Sequence, residues 1–295
     1  MVTQGKNSVI NCRLPGKLRL RESQATNPVV VGDVVAYQIN SDDTATITSI
    51  KKRKNKITRQ SAHGRGENIL VANIDQAFII TSIRKPKLKT GFIDRILVTS
   101  EAYGVEPVII VNKMDLARSK DFALVDDLRD TYQKIGYHFL KTSIFDNDTI
   151  ENLHSYLKGN TSVLIGPSGS GKTSLLNACQ PGFDLPTSEV SSYSNKGTHT
   201  TTYSQLLQLN AGGFIVDTPG IRAFGLVDFE PDELSLYFPE MMEHTQDCKF
   251  NNCSHSHEPG CAVIEAFEEG IISPSRYDSY LTMLDALEKQ WRDKY

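Results

Sequence analysis

The sequence predicts a multidomain α/β protein in three parts: a β-rich front over residues 1–73, a core with a mostly parallel sheet over 74–227, and a helical module over 228–295. Three observations carry this. Residues up to Asn73 form short alternating segments broken by Gly- and Asn-containing turns. From Asp75, strand-sized apolar runs alternate with segments of helical period, the pattern of a parallel sheet covered by helices. After about Asp228 that rhythm stops, and a Cys/His cluster precedes an amphipathic tail.

In the front, residues 28–39 alternate around the turn-like Gly32-Asp33, and Ala45–Ile50 alternates threonine with apolar side chains. This texture suits a small barrel. In the core, residues 77–83 and 108–111 read as buried strands, with a helix over 91–103 between them. Residues 121–135 place Phe122, Val125, Leu128, Tyr132 and Ile135 on one helical face. Strands follow at 137–140, 162–165 and 214–216. In the tail, a helix over 276–294 lines up Tyr280, Met283, Leu284, Leu287 and Trp291.

Composition excludes little except the membrane and the secretory route. The chain is 39% hydrophobic and 23% charged, its apolar runs are far shorter than a bilayer span, and residues 1–17 lack the apolar stretch of a signal peptide. A cytoplasmic, reducing location is the expectation, so the five cysteines are not read as a disulfide framework. The charge is uneven: residues 1–95 carry 17 Lys and Arg against 7 Asp and Glu, the remainder 15 against 28. A basic front beside an acidic remainder points to a polyanionic partner or to a solvated basic face.

Gly166-Pro167-Ser168-Gly169-Ser170-Gly171-Lys172-Thr173 matches G-x-x-x-x-G-K-[ST] between a strand and a helix that opens at Ser174. Glycines let successive backbone N–H groups turn inward and cradle phosphate at a helix N-terminus. Gly166 to Ser174 are therefore the candidate phosphate-binding residues. Lys172 reaches the β- and γ-phosphates, and the Thr173 hydroxyl ligates Mg²⁺. Asp217-Thr218-Pro219-Gly220 follows an apolar strand, which places Asp217 to hold the same ion and the Gly220 N–H to meet the γ-phosphate.

Asn112-Lys113-Met114-Asp115 ends the 108–111 strand. An N-K-x-D at that place reads guanine, because the Asp carboxylate accepts from both N1–H and the exocyclic amine. Adenine leaves that carboxylate unpaired. Lys113 covers the base and Asn112 ties its loop to the phosphate loop. Thr142-Ser143, after the next strand, resembles the companion loop whose backbone N–H meets guanine O6. A helix cap at Asp115 is the plainer reading of the motif, and the phosphate loop decides against it. These base-reading elements precede the phosphate loop, whereas small GTPases have them after it. The order is a circular permutation, which a sheet survives when its old termini lie close together.

Permutation, the all-β front and the downstream Cys/His cluster together resemble the bacterial ribosome small-subunit-dependent GTPase A family (RsgA). The resemblance runs from about Cys12 to the end. It implies an OB-fold front, a permuted GTPase core, a zinc-binding C-terminal domain and a role in late maturation of the small (30S) ribosomal subunit. The partners implied are GTP and GDP, the small subunit and its rRNA, with no membrane and a monomeric chain. Residues 197–202, Gly-Thr-His-Thr-Thr-Thr, look like the family's first switch loop, and 217–222 its second. Where Ras-like enzymes carry a water-orienting Gln, this chain has Ile221. By resemblance His199 is the substitute, with Thr201, or else Thr200, on Mg²⁺ and γ-phosphate. Cys248, Cys253, His255 and Cys261 form a three-thiol, one-imidazole set suited to a closed, structural Zn²⁺ site. Spacing leaves His257 open as the fourth ligand. Cys12 and Cys179 read as core thiols. A guanine-nucleotide-regulated RNA-binding assembly module with negligible hydrolysis is the alternative function.

Overall fold

The computed structural model describes residues 2–4, 8–16, 28–60, 67–183, 205–217 and 229–292. The front opens with an antiparallel hairpin of β1 (Val2–Gln4) and β2 (Ser8–Ile10). Next, β3 (Cys12–Arg13), β4 (Val35–Ile39) and β5 (Ala45–Ile50) form a sheet in the order β3-β5-β4. Then β6 (Lys56–Gln60) pairs antiparallel with β7 (Glu67–Ala72), and a bridge joins Val31 to Val71. Among the described residues these ladders remain separate sheets.

The 28–39 segment becomes strand only from Val35, because its first half turns. Gly32 has φ +90°, and a Cβ there would fall on the Ala72 carbonyl oxygen. The adjacent Asp33 carboxylate is buried and accepts two bonds from Arg53, at 2.7 and 2.8 Å. Lys54 meets Asp75 at 3.2 Å. Half of the basic run 51–54 is thus consumed internally, leaving Lys51 and Lys52 exposed.

The core is a six-stranded sheet. It contains β8 (Gln76–Ser82), β9 (Glu106–Asn112), β10 (His138–Lys141), β11 (Thr161–Ile165), β12 (Gln205–Gln208) and β13 (Phe214–Asp217). The order is β10-β9-β8-β11-β13-β12, parallel except for β12 at one edge. Four helices cover it: α1 (Thr90–Tyr103), α2 (Ser119–Ile135), α3 (Asn147–Leu157) and α4 (Lys172–Cys179). Alternation along β8 and β9 sorts the core into two layers. Ala77, Ile79, Ile109 and Val111 pack with α1 and α2, while Phe78, Ile80, Val108 and Ile110 pack with α3 and α4. Each of these side chains except Ala77 contributes about 1.5–3 kcal/mol on full burial, and covering on both faces explains the continuous apolar runs.

The front docks at the amino ends of these strands. Ile57, Val71 and Ile74 join the α1–α2 layer. Asn55 donates to the carbonyls of Ile74 and Gly104, at 2.7 and 3.1 Å, and Thr58 bonds the Tyr103 hydroxyl at 2.7 Å.

The tail contributes a 3₁₀ segment (Pro231–Tyr237), α5 (Pro239–Thr245), α6 (Ala262–Glu268) and α7 (Pro274–Arg292). Its core of Phe238, Met241, Val263, Tyr280, Met283 and Leu287 extends to Val98 on α1. Beside it lies a buried ionic knot. Arg276 on α7 meets Asp94 on α1 at 2.7 Å and Glu240 on α5 at 2.6 Å, and Asp94 also accepts from Tyr132 and Ser279.

Two side chains leave the faces that the sequence pattern assigned them. Phe122 is 46% exposed. Lys141, the last residue of β10, pairs with Asp126 of α2, so Phe122, a turn earlier, overhangs the end of the sheet. Trp291 is 37% exposed, one turn past Leu287, the last α7 residue in the tail core. No helix among the described residues is long and apolar enough to cross a membrane.

Candidate nucleotide site and metal centre

The carboxyl ends of β8, β9, β11 and β13 lie on one edge of the sheet, with Ser82 opposite Asn112 and Ile79 opposite Ile165. The chain runs outward from β8 to β9 and β10, then returns to β11 on the other side of β8. Open α/β sheets bind ligands at such a reversal, outside the carboxyl ends.

The loop after β11 can be built only with its glycines. A Cβ on Gly166 would fall on the Ile80 carbonyl oxygen, and one on Gly171, at φ +93°, would strike the Asn112 amide. Ser168 and Gly169 form the outer turn, which the Ser170 N–H closes on the Pro167 carbonyl at 3.2 Å. Lys172 donates to the carbonyls of Gly166 and Pro167 at 2.8 and 2.9 Å, which holds its ammonium over the loop. Thr173 and Ser174 stand half-buried in the first turn of α4. The buried Ser170 hydroxyl has no hydrogen-bond partner. Such an orphan fits a loop whose acceptor is a ligand's oxygen.

The segments expected to read the base are tied to that loop by side chains. Asn112, 1% exposed, donates to the Ser170 carbonyl at 2.9 Å and accepts from the Thr142 hydroxyl at 3.0 Å. Lys113 donates to the carbonyls of Gly169 and Lys85 at 2.6 and 2.9 Å, from a backbone held left-handed at φ +61°. A lysine rarely adopts that conformation, and the tied loop over-determines it. The Met114 N–H donates to the Thr142 carbonyl at 3.1 Å. Asp115 is exposed and accepts from the Ser143 hydroxyl at 2.7 Å, and Thr149 in turn holds Ser143. Thr149 and the Lys85 carbonyl carry no motif that would have revealed them in sequence.

The tail brings Cys248, Cys253, His255 and Cys261 together, with their donor atoms all within 4.8 Å of one another. A tetrahedral Zn²⁺ site, with bonds of about 2.3 Å to sulfur and 2.0 Å to nitrogen, sets sulfurs about 3.8 Å apart and sulfur about 3.5 Å from nitrogen. Here Cys248 Sγ lies 3.9 Å from Cys261 Sγ, and His255 Nδ1 lies 3.5 and 3.4 Å from those two sulfurs. The four residues fit the ion. His255 has φ +56°, and its carbonyl accepts from Tyr277 at 2.8 Å. Burial lowers the His255 pKa, favouring the neutral form that ligates, and raises the Cys253 thiol to about 12. His257 is exposed and bonded to Ser256, outside the cluster. Cys179 is buried, which raises its thiol to about 11.

His199, Thr200, Thr201, Gly220 and Ile221 lie outside the described residues, as does the side chain of Asp217, whose backbone ends β13 beside the phosphate loop.

Comparison with known proteins agrees with this geometry. Residues 50–227 match the family model described as RsgA GTPase. A small ribosomal subunit biogenesis GTPase RsgA of Phocaeicola vulgatus is 44% identical over 288 residues, covering 97% of this chain and 93% of the relative. One from Flavobacterium johnsoniae is 42% identical, covering 99% and 91%. The crystal structure of YjeQ from Thermotoga maritima aligns with a TM-score of 0.78 at 38% identity, over 94% of this chain and 89% of that one. YloQ, described as a circularly permuted GTPase, aligns at 0.77 and 31%, over 98% and 89%. With base loops ahead of the phosphate loop on one sheet edge and relatives matched from end to end, the chain belongs to the RsgA GTPase family.

Proposed function

We propose that this protein hydrolyses GTP to GDP and phosphate as a timing switch in late maturation of the small ribosomal subunit. The observation that carries it is Asn112, which joins the guanine-reading loop to the phosphate loop through Ser170 and Thr142. Lys172 exchanges its loop carbonyls for phosphate oxygens, and Thr173 and Asp217 hold Mg²⁺. That ion, when bound, neutralises charge on the phosphates. Asp115 selects guanine, with Lys113 across the base and Ser143 at its O6. Thr201 contacts the γ-phosphate, and His199 orients the attacking water in place of the Gln that Ile221 lacks. Zn²⁺ staples the tail, the front folds as an OB domain that meets rRNA, and the chain acts as a cytoplasmic monomer.

Ile221 also supports the second reading, binding without appreciable turnover. GTP hydrolysis measured alone, with small subunits and with large subunits separates the two. Low intrinsic turnover, strong stimulation by small subunits only, and loss of that stimulation in His199→Ala with nucleotide binding kept are expected. Equal stimulation by both subunits, or full stimulation of the variant, sinks the coupling.

Asp115→Asn is expected to weaken GTP binding by about 1–3 kcal/mol, the size of a lost charge-assisted pair. Xanthine nucleotide, with the complementary edge, gains. ATP competing as well as GTP against the unmodified protein would overturn the guanine assignment.

A further inference from the structure

The positive charge of residues 1–95 is not confined to the front. Four of its cations, Arg84, Lys85, Lys87 and Lys89, lie between β8 and α1, on the carboxyl edge of the sheet that carries the nucleotide loops. Arg84 is spent on Asp121 at 2.7 Å, which also consumes the nearest acid. Lys85, Lys87 and Lys89 are exposed, and among the described residues none of their ammonium groups makes an ion pair. Lys89 occupies the N-cap of α1, which has no acid in its first turn, so a cation sits at the end of the helix where the macrodipole disfavours it. Arg118 and Lys120, flanking Asp121 at the start of α2, add two more exposed cations.

Such a run of like charge on one loop is repulsive in the isolated protein, and a bound polyanion relieves it. The loop is held in place for that contact: Ser82 Oγ accepts from the Lys85 N–H at 3.2 Å, and Lys113 donates to the Lys85 carbonyl at 2.9 Å. It offers no apolar foothold between its charges, because Leu88 packs inward against the core and Pro86 is half-buried. A surface of point charges without a side-chain pocket suits a phosphate backbone better than a folded or peptide partner.

We infer that the Lys85–Lys89 loop is a second RNA-phosphate contact, carried by the GTPase core itself beside the base-reading lysine and separate from the front. This rests on the ribosomal reading above. In a complex it sets one end of Lys113's hydrogen-bond pair against RNA, so docking and base recognition share a loop.

The test is sedimentation of the full chain, loaded with a non-hydrolysable GTP analogue, with purified small subunits across a salt series. The variants are Lys87→Gln/Lys89→Gln and the charge-keeping Lys87→Arg/Lys89→Arg. Losing two phosphate contacts lowers the slope of log K against log salt by about 1.5, which is about 30-fold weaker binding at 0.1 M, converging with the parent near 1 M. The Arg pair restores both, and nucleotide affinity and intrinsic hydrolysis stay at parent values in both variants. Unchanged affinity and slope in the Gln pair, with normal binding by the parent, removes this surface alone. Failure of the parent to bind small subunits removes the ribosomal reading and this surface together. Displacement of the subunit by polyglutamate but not by an RNA homopolymer overturns the choice of RNA in favour of an acidic polypeptide. Loss of nucleotide affinity in the Gln pair would show that these two lysines serve the nucleotide rather than RNA and overturns the inference.

Discussion

Arg276→Met is expected to cost about 3–5 kcal/mol of stability, as breaking one side of a buried ion pair does. The guanidinium is fully buried, bonded to Asp94 and Glu240, and lies 4.5 Å over the Phe238 ring. Burial pulls its pKa down, and the two carboxylates more than offset that, so it stays charged. Methionine fills much of the volume but leaves Asp94, also fully buried, with Tyr132 and Ser279 as its remaining partners. Two hydroxyl donors do not replace a cation at that depth. Denaturant unfolding reads the change, and a loss below about 1 kcal/mol would show that the knot is dispensable. The double variant Asp94→Leu/Arg276→Met removes the fully buried carboxylate along with the cation, leaving only Glu240 without its partner, and is expected to be more stable than the single one, because apolar replacements of a buried pair often restore stability.

Removing the metal is expected to have a larger but more local effect. Structural Zn²⁺ contributes about 10–16 kcal/mol of apparent binding energy in small zinc domains, and there it is folding energy. Cys261 caps α6 and belongs to the tail core, so Cys261→Ala withdraws a ligand and a packing group together. Elemental analysis is expected to give one zinc per parent chain and none in the variant. Trp291, the single tryptophan, sits at the end of α7 and reports the loosening by fluorescence. Guanine binding by the core is expected to persist. A parent purified without chelator that carries no zinc would overturn the assignment.

The parts of the fold that sequence reveals are those where one local rule acts alone. Strands buried on both faces leave unbroken apolar runs, so β8, β9 and β11 were legible to within a residue or two. The phosphate loop was legible because glycine is demanded at Gly166 and Gly171 by close backbone or side-chain approach. The order of motifs alone disclosed the permutation. Helix α3 was not legible, although Asp146 caps it and Ile150, Leu153 and Leu157 have helical spacing, because its apolar stripe is only three residues long, against five in the 121–135 segment. The antiparallel edge strand β12 has no signature distinguishing it from a parallel one. Asp94 and Arg276 lie 182 residues apart and meet only in three dimensions. Choosing His255 over His257 likewise needed the left-handed turn that brings one imidazole inward.

Helix α1 touches everything. Its middle grips the tail through Asp94 and Val98, its end meets the front through Tyr103, and its start adjoins the loop that Lys113 holds. At 1.5 Å per residue, its 14 residues make a rod of about 21 Å. The three parts are consequently not separable cassettes. Cutting the chain after residue 227 would take away the counter-ion of Asp94 and bare Val98, and cutting before 74 would bare Ile74 and the underside of α1. Trading modules between relatives in this family therefore has to carry the matching face of α1 along, and the helix, rather than any linker, sets which pieces can be exchanged.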